Sequence, residues 1–155
     1  SSHSRTHPDL SALTSAQAQA EIKGSYDDLV ARGYAPKTFV YPVGGVNPTV
    51  EGLVKNAGYI GARGSYFGLN SRTANKYALY DVRVDKSATL AMVKERIDQA
   101  YEDKRWLILE LHDVLPSGGD DLAITTATFK AIVDYSKQKG VRVVTLEEGL
   151  ALMSQ

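Results

Sequence analysis

The chain has 155 residues, of which 43% are hydrophobic and 23% charged, and its 18 basic residues balance 18 acidic ones. This composition is typical of one globular domain and excludes a disordered chain. A formal net charge of zero argues against electrostatic binding of nucleic acid or of an anionic membrane. Without cysteine, the chain has no disulfide, no thiolate metal site and no cysteine nucleophile. No apolar run approaches the ~20 residues of a membrane span.

Five helices are predicted from apolar periodicity, N-caps and glycine stops. Thr14 or Ser15 caps the first helix, which Gly33 ends. Asn47 precedes Pro48, which takes the first position of the second helix, and this combination is typical of a helix start. Ser87 is predicted to cap the third. The predicted ranges are Leu13–Arg32, Pro48–Ala57, Ser87–Tyr101, Thr125–Lys139 and Glu147–Ser154.

Five strands alternate with these helices, an order that predicts parallel α/β architecture in one domain. The stretch "WLILEL" is nearly continuous in apolar residues, which predicts a strand buried on both faces. Polar stretches at residues 65–76 and 116–121 are predicted loops. The predicted strands are Thr38–Pro42, Tyr59–Gly64, Tyr77–Val84, Trp106–Leu111 and Val141–Leu146.

Two of the three histidines, His3 and His7, stand four residues apart near the start of the chain. On a helix this spacing places both rings on one face, but Pro8 disfavours helical geometry at His7 and favours a tight turn. Neutral imidazoles suit zinc, and also cobalt or nickel. A catalytic zinc usually takes three protein ligands, so two histidines are part of a site at most. The alternative is a pair of exposed loop histidines without a ligand.

The third histidine, His112, follows the apolar strand "WLILEL" directly. Functional groups of parallel α/β folds collect beyond the carboxyl ends of strands, where a histidine can protonate a leaving group. The alternative is a buried histidine bonded to Asp113. The turn "PVGG" also ends a strand, and its backbone N–H groups are candidates for stabilising an oxyanion. An ordinary turn is the alternative there.

Three motifs together resemble the polysaccharide deacetylases of the NodB-homology family, carbohydrate esterase family 4. "SHSRTHPDL" is similar to the family's metal motif H-S/T-x-x-H-P, "FVYPVGGVN" to the groove motif F-x-Y-P-x-G-x-N, and "WLILELHDV" to the late L-x-H-D motif. The closing "VVTLEEGL" resembles the family's last strand and helix. The resemblance implies an α/β fold, a distorted (β/α) barrel of the NodB type. Residues 1–155 would be the C-terminal portion of a single catalytic domain, with the barrel incomplete at the N-terminus.

The resemblance also implies roles for individual residues. His3 and His7 would be ligands of a divalent metal, most simply zinc, with cobalt or nickel as alternatives. His112 would be the general acid. Tyr41 and Pro42 would shape the wall of the substrate groove. The backbone N–H of Val43 would help to hold the oxyanion. Leu109 or Leu111 would help to form the pocket for the acetyl methyl group.

The sequence departs from the family pattern in three places. The T-F-D-D motif, whose aspartates supply the catalytic base and a third metal ligand, is not found. We therefore expect the chain as it stands to bind metal weakly and to have little or no activity. Val40 stands where the family has an arginine that orients the base, and Arg63 is the first candidate to replace it, ahead of Arg83. The D-x-x-D-W motif is not recognisable. Asp9 is predicted to cap the following turn, and Asp113 to orient His112.

The function that the resemblance implies is removal of acetyl groups from an acetylated polysaccharide, first of all N-deacetylation of N-acetylglucosamine polymers. An acetylxylan esterase of the same family is an alternative. A second alternative is a non-catalytic carbohydrate-binding domain, in which aromatic side chains stack on sugars. The resemblance further implies secretion or association with the cell envelope, while the zero net charge predicts no nucleic-acid partner. Exposed sheet edges predict a dimer or a domain swap, and the alternative is a flatter sheet with covered edges. The candidate stacking residues are Tyr41, Tyr66, Phe67 and Trp106.

Overall fold

The computed structural model describes residues 1–153, apart from the side chain of Ser65, and has mixed α/β architecture as predicted. The pairings of β1 with β2, β3 with β4 and β5 with β6 are parallel. The helices are α1 (Ser15–Ala31), α2 (Pro48–Asn56), α3 (Leu90–Glu102), α4 (Thr126–Gln138) and α5 (Leu146–Met153). The strands are β1 (Thr38–Val40), β2 (Gly61–Phe67), β3 (Leu79–Arg83), β4 (Leu109–Glu110), β5 (Val114–Leu115) and β6 (Ile124–Thr125).

The chain divides into two compact units, and the first comprises residues 1–66, residues 73–80 and the chain from Val144 onward. In it β1 pairs with β2 so that Thr38 lies opposite Gly61 and Val40 opposite Arg63. Its apolar core joins α1, β1 and α2, because the inward faces of all three carry large apolar side chains that leave water together. The core residues are Leu10, Ile22, Phe39, Tyr41, Val50, Val54, Ala57, Tyr59 and Ala62.

The N-terminal segment extends the first unit by a short parallel bridge along β1. The backbone N–H of Ser2 donates to the Thr38 carbonyl at 2.8 Å, and the Ser2 carbonyl accepts from the Val40 N–H at 2.9 Å. These two bonds satisfy backbone groups on that edge of β1. They also deliver the next residue, His3, to the carboxyl end of β1.

The second unit comprises residues 67–72 and 81–143. Strand β3 pairs with β4 so that Arg83 lies opposite Glu110, while β5 and β6 form a separate two-stranded sheet. Helices α3 and α4 bury their apolar faces in a second core. That core contains Val84, Val93, Ile97, Ile124 and Ile132.

The helix predictions are confirmed to within three residues at each described end, with one cap assigned wrongly. The third helix is capped by Thr89, whose hydroxyl accepts from the Met92 N–H, and not by Ser87. The Ser87 N–H and hydroxyl instead both donate to the Asp85 carboxylate, which forms a local turn before the helix begins. Ser154, the predicted end of the last helix, lies outside the described residues.

Two strand predictions need correction in length and burial. Strand β2 continues to Phe67, into the predicted loop, because backbone pairing and not residue polarity decides where a strand ends. In the stretch 106–111 only Leu109 and Glu110 form a strand, and the stretch is half-buried and not covered on both faces. Two short strands, β5 and β6, were not predicted.

The predicted strand Val141–Leu146 is wrong. In the part of the chain that the structure describes, residues 141–145 have no regular secondary structure, and Val143 is 83% exposed. β-Branched residues favour extended backbone, but a strand also requires a neighbour to complete its hydrogen bonds. Among residues 1–153, no helix combines the length and the apolar character needed to cross a membrane.

The start of α1 yields a test of this local account. The Thr14 hydroxyl accepts from the Gln17 N–H, and the Gln17 side chain accepts from the Thr14 N–H, which is a complete capping box. Replacing Thr14 by alanine should lower the free energy of unfolding by ~1 kcal/mol, measured by urea denaturation. The exposed Thr49 lies inside α2 and caps nothing, so Thr49→Ala should change stability by less than ~0.5 kcal/mol. Equal losses in the two variants would contradict this account.

Candidate functional site

His3 and His7 lie close together in a tight turn at the end of the bridge along β1. Their ring centroids are 4.8 Å apart and the rings meet edge to face at 79°. Both side chains belong to exposed residues, open to a ligand from solvent. The turn bends through two non-glycine residues in the left-handed region, Ser4 at φ 62° and His7 at φ 63°. The structure therefore confirms the predicted turn and brings the two imidazoles together.

The hydrogen bond of His3 fixes which of its ring nitrogens faces outward. The Nδ1 of His3 lies 2.8 Å from the Val40 carbonyl oxygen. Because a carbonyl only accepts, Nδ1 is the protonated nitrogen, and in the neutral form of the ring the lone pair is on Nε2. Metal-ligating histidines in proteins usually donate their second ring N–H to a carbonyl or carboxylate in this way. His3 thus has the tautomer and the support that a metal ligand requires.

The described residues supply only part of a metal site. Within residues 1–153, no group of three or more histidine, aspartate or glutamate side chains is placed to hold one ion. Two imidazoles provide two of the three or four protein ligands that zinc takes. The donor set is therefore chemically suited to zinc, and incomplete among these residues.

The turn after β1 is held in a strained conformation at Val43. Its φ of 49° and ψ of 16° lie in the left-handed region, which is unusual for a β-branched residue. The hydrogen bonds of the turn are donated by the N–H groups of Gly44 and Gly45, to the carbonyls of Tyr41 and Pro42. The Val43 N–H takes no part in these bonds, and the side chain is 65% exposed. Its predicted role as an oxyanion donor stays a prediction.

Tyr41 and Pro42 anchor the start of this turn in the core. Tyr41 is only 2% exposed, packs edge-on against Phe39 and donates its hydroxyl hydrogen to the Tyr77 carbonyl at 2.7 Å. Burial raises the pKa of Tyr41 well above its usual value, so the phenol stays protonated. Pro42 is also fully buried. The Tyr41 ring is thus part of the core and does not stack on a sugar; the predicted roles of Tyr41 and Pro42 in the groove wall stay predictions.

Arg63 lies on β2 directly opposite Val40, whose carbonyl holds His3. The Arg63 carbonyl accepts from the Tyr41 N–H at 3.0 Å, so its backbone helps to position the start of the strained turn. The side chain is half-buried. This position is compatible with the predicted orienting role, which stays a prediction.

His112 follows β4 in the second unit, where its ring faces a glutamate. The Nε2 of His112 lies 3.7 Å from Glu110 Oε1, a distance that gives an ion pair when the imidazole is protonated. Glu110 Oε2 also pairs with Arg83 Nε at 3.4 Å, across the β3–β4 ladder. The alternative of a buried His112 is wrong, because the residue is exposed. The predicted orienting role of Asp113 needs correction, because the observed charged partner is Glu110.

Leu109 and Leu111 are half-buried and pack against the second core. Along extended backbone Leu109 and Leu111 share one face, and Glu110 between them points to the other. Their predicted role in a pocket for the acetyl methyl group stays a prediction. Asp9, as predicted, caps the short turn Leu10–Ala12, because its carboxylate accepts from the Ser11 N–H.

An α/β unit that gathers imidazoles and a strained turn at the carboxyl end of parallel strands is typical of α/β enzymes. Residues 1–62 match the family model described as polysaccharide deacetylase. This match confirms the family resemblance for the first two motifs, and the third motif and the closing segment lie outside the matched residues. The match covers His3, His7 and the Tyr41–Val43 turn, and it supports a deacetylating hydrolase as the general class of activity. No curated protein and no solved structure matches the chain significantly.

Two carboxylates near the candidate residues, Glu110 and Glu21, were not predicted from the sequence. Glu110 is the only charged residue in "WLILEL", and it stands two residues before His112, which is the spacing of one strand face. Glu21 shares a face of α1 with Ser25 and Asp28, at helical spacing beside the apolar face. Both patterns could have identified them.

The strain at Val43 predicts an unusual response to glycine. A left-handed backbone costs an L-residue about 1–2 kcal/mol, whereas glycine adopts it freely. Val43→Gly should therefore raise the free energy of unfolding by ~0.5–1 kcal/mol in chemical denaturation. Val143 is also exposed but has no positive φ, so Val143→Gly should lower stability. A loss of stability in Val43→Gly as large as in Val143→Gly would refute the strain.

Proposed function

We propose that this chain carries residues of a metal-dependent hydrolase that removes acetyl groups from a polysaccharide, with N-acetylglucosamine polymers as the first substrate class. The observation that carries the proposal is the histidine pair: two rings at 4.8 Å, one of them with its Nδ1–H on a backbone carbonyl. The family match over the same segment supports it. The proposal includes a NodB-type distorted barrel and a secreted or envelope location, where such polymers occur.

The residues of this chain would divide the work as follows. His3 and His7 would hold a divalent ion, zinc first, through ring nitrogens. When bound, the ion supplies Lewis-acid polarisation of the acetyl carbonyl and lowers the pKa of a bound water. The Val43 N–H would donate to the developing oxyanion. As the carbon–nitrogen bond breaks, His112 would give its proton to the leaving nitrogen. The attacking water would supply the second oxygen of the acetate, and its two protons would pass to solvent, from which His112 is reprotonated.

The acetyl linkage could be an amide or an ester, since both pass through the same tetrahedral intermediate. N-Acetylglucosamine oligomers and acetylated xylo-oligomers separate the two substrates in a direct assay of released acetate. Faster release from the first supports N-deacetylation. Faster release from the second supports the acetylxylan esterase.

Light scattering on the same sample would test the predicted dimer or domain swap.

The three histidines allow one matched test of metal binding. His3→Ala should lower zinc affinity by ~100-fold or more in calorimetry, because removing a ligand should exceed the ~10–100-fold effect of removing a second-shell partner. His112→Ala should leave zinc affinity unchanged, because it is proposed as a proton donor, and it should abolish turnover wherever turnover is measurable. Unchanged zinc affinity in His3→Ala would show that the site assignment is wrong.

A carbohydrate-binding domain without catalysis is a second candidate, favoured by an exposed aromatic pair in the first unit. Tyr66 is 62% exposed, and its ring meets that of Tyr80 edge to face at 5.8 Å. Exposed aromatic rings of this kind offer an apolar face to the C–H groups of a sugar and a hydroxyl to its polar edge. Trp106, in contrast, is half-buried.

Glycan binding through this pair has its own test. Tyr66→Ala should weaken binding of an N-acetylglucosamine oligomer by about 10-fold, a loss of ~1.4 kcal/mol, in calorimetry. Tyr34 is as exposed as Tyr66 and serves as the control, so Tyr34→Ala should leave binding unchanged. Equal affinities of the two variants would exclude the Tyr66–Tyr80 pair as a sugar platform.

A further inference from the structure

The turn that carries His3 and His7 donates three hydrogen bonds to one carboxylate of α1, that of Glu21. Glu21 Oε2 accepts from the backbone N–H groups of Arg5 and Thr6, at 2.8 and 2.9 Å. Glu21 Oε1 accepts from the Thr6 hydroxyl at 2.8 Å. One side chain on a helix therefore satisfies both backbone donors at the centre of the turn, between the two histidines.

A second contact fixes the same segment from its side chain. The Arg5 guanidinium forms a two-pronged bond with Asp28, with Nε at 2.7 Å and Nη2 at 2.8 Å from its oxygens. It crosses α1 over Gly24, where an added Cβ would lie only 2.5 Å from the guanidinium. Helix α1 thus presents to the turn the Glu21 carboxylate, the side-chain-free surface at Gly24 and the Asp28 carboxylate, each about one helical turn after the last.

These bonds hold a backbone that would not keep its shape alone. Ser4 and His7, on either side of the Arg5–Thr6 segment, both occupy the left-handed region. Such conformations persist only when the surroundings determine them, and here the surroundings are Glu21 and Asp28. Burial opposes ionisation of Glu21, but its bonds from Thr6 and Arg5 lower its pKa, so the acceptor is the charged carboxylate.

We propose that Glu21 is a positioning residue for the histidine pair: it sets the turn so that the His3 and His7 rings approach within reach of one ion. This inference rests on the proposed metal function. Glu21 contacts neither histidine; it acts through the backbone N–H groups of Arg5 and Thr6. Its role is the outer-shell support that metal sites need for their geometry.

The test uses the full chain and three variants of α1. Glu21→Ala should lower zinc affinity by ~10–100-fold in calorimetry and abolish the ring-to-ring NOE between His3 and His7 in the metal-free chain. Glu21→Gln should keep the NOE and zinc affinity within ~3-fold, because an amide oxygen still accepts both N–H groups and its NH₂ can donate to the Thr6 hydroxyl. Asp27→Ala, on the same helix, removes a carboxylate that pairs with Lys23 and makes no hydrogen bond to the Arg5–Thr6 backbone, so this variant should match the unmodified chain.

The outcomes separate this inference from the proposed function. Loss of the NOE in Glu21→Ala, with its rescue in Glu21→Gln and unchanged helical circular dichroism in both, supports the positioning role. Retention of both the NOE and the zinc affinity in Glu21→Ala overturns it. If the unmodified chain does not bind zinc, the metal function fails, while the NOE still decides whether Glu21 sets the turn.

Discussion

The candidate site depends on the short parallel bridge between Ser2 and β1. Two backbone hydrogen bonds, to Thr38 and from Val40, fix the register of the N-terminal segment. That register brings His3 to the Val40 carbonyl and starts the turn that ends at His7. A shift by one residue would place the His3 side chain on the opposite face, because side chains alternate along extended backbone. The geometry of the histidine pair is therefore a property of backbone pairing.

The strained positions of the first unit lie beside its candidate functional residues. Ser4, His7 and Val43 all have positive φ, and the His7 N–H donates to the Ser4 hydroxyl within the first of the two turns. Helix α1 holds the histidine turn through Glu21, and the buried Tyr41 and Pro42 support the turn at Val43. Strain of this kind is stored where a side chain or an N–H must point outward in a fixed direction.

The second unit holds its histidine by a different means. His112 faces Glu110, which in turn faces Arg83 on the neighbouring strand. Exposed charge pairs contribute little to stability, so the physical effect of this row is to limit the orientation of the imidazole. A fixed orientation is what a proton donor needs, which is the role proposed for His112.

The sequence by itself determined the helices, their caps at Thr14 and Asn47, the mixed α/β class and the spacing of His3 and His7. These follow from local preferences, which act over a few residues and survive in any tertiary context. Only the tertiary structure decided the length of β2, the loss of a strand at 141–146, the burial of Tyr41 and the partners Val40, Glu21 and Glu110. Strand ends and side-chain partners depend on which distant segments come together. Local preferences, which act over a few residues, do not determine that pairing.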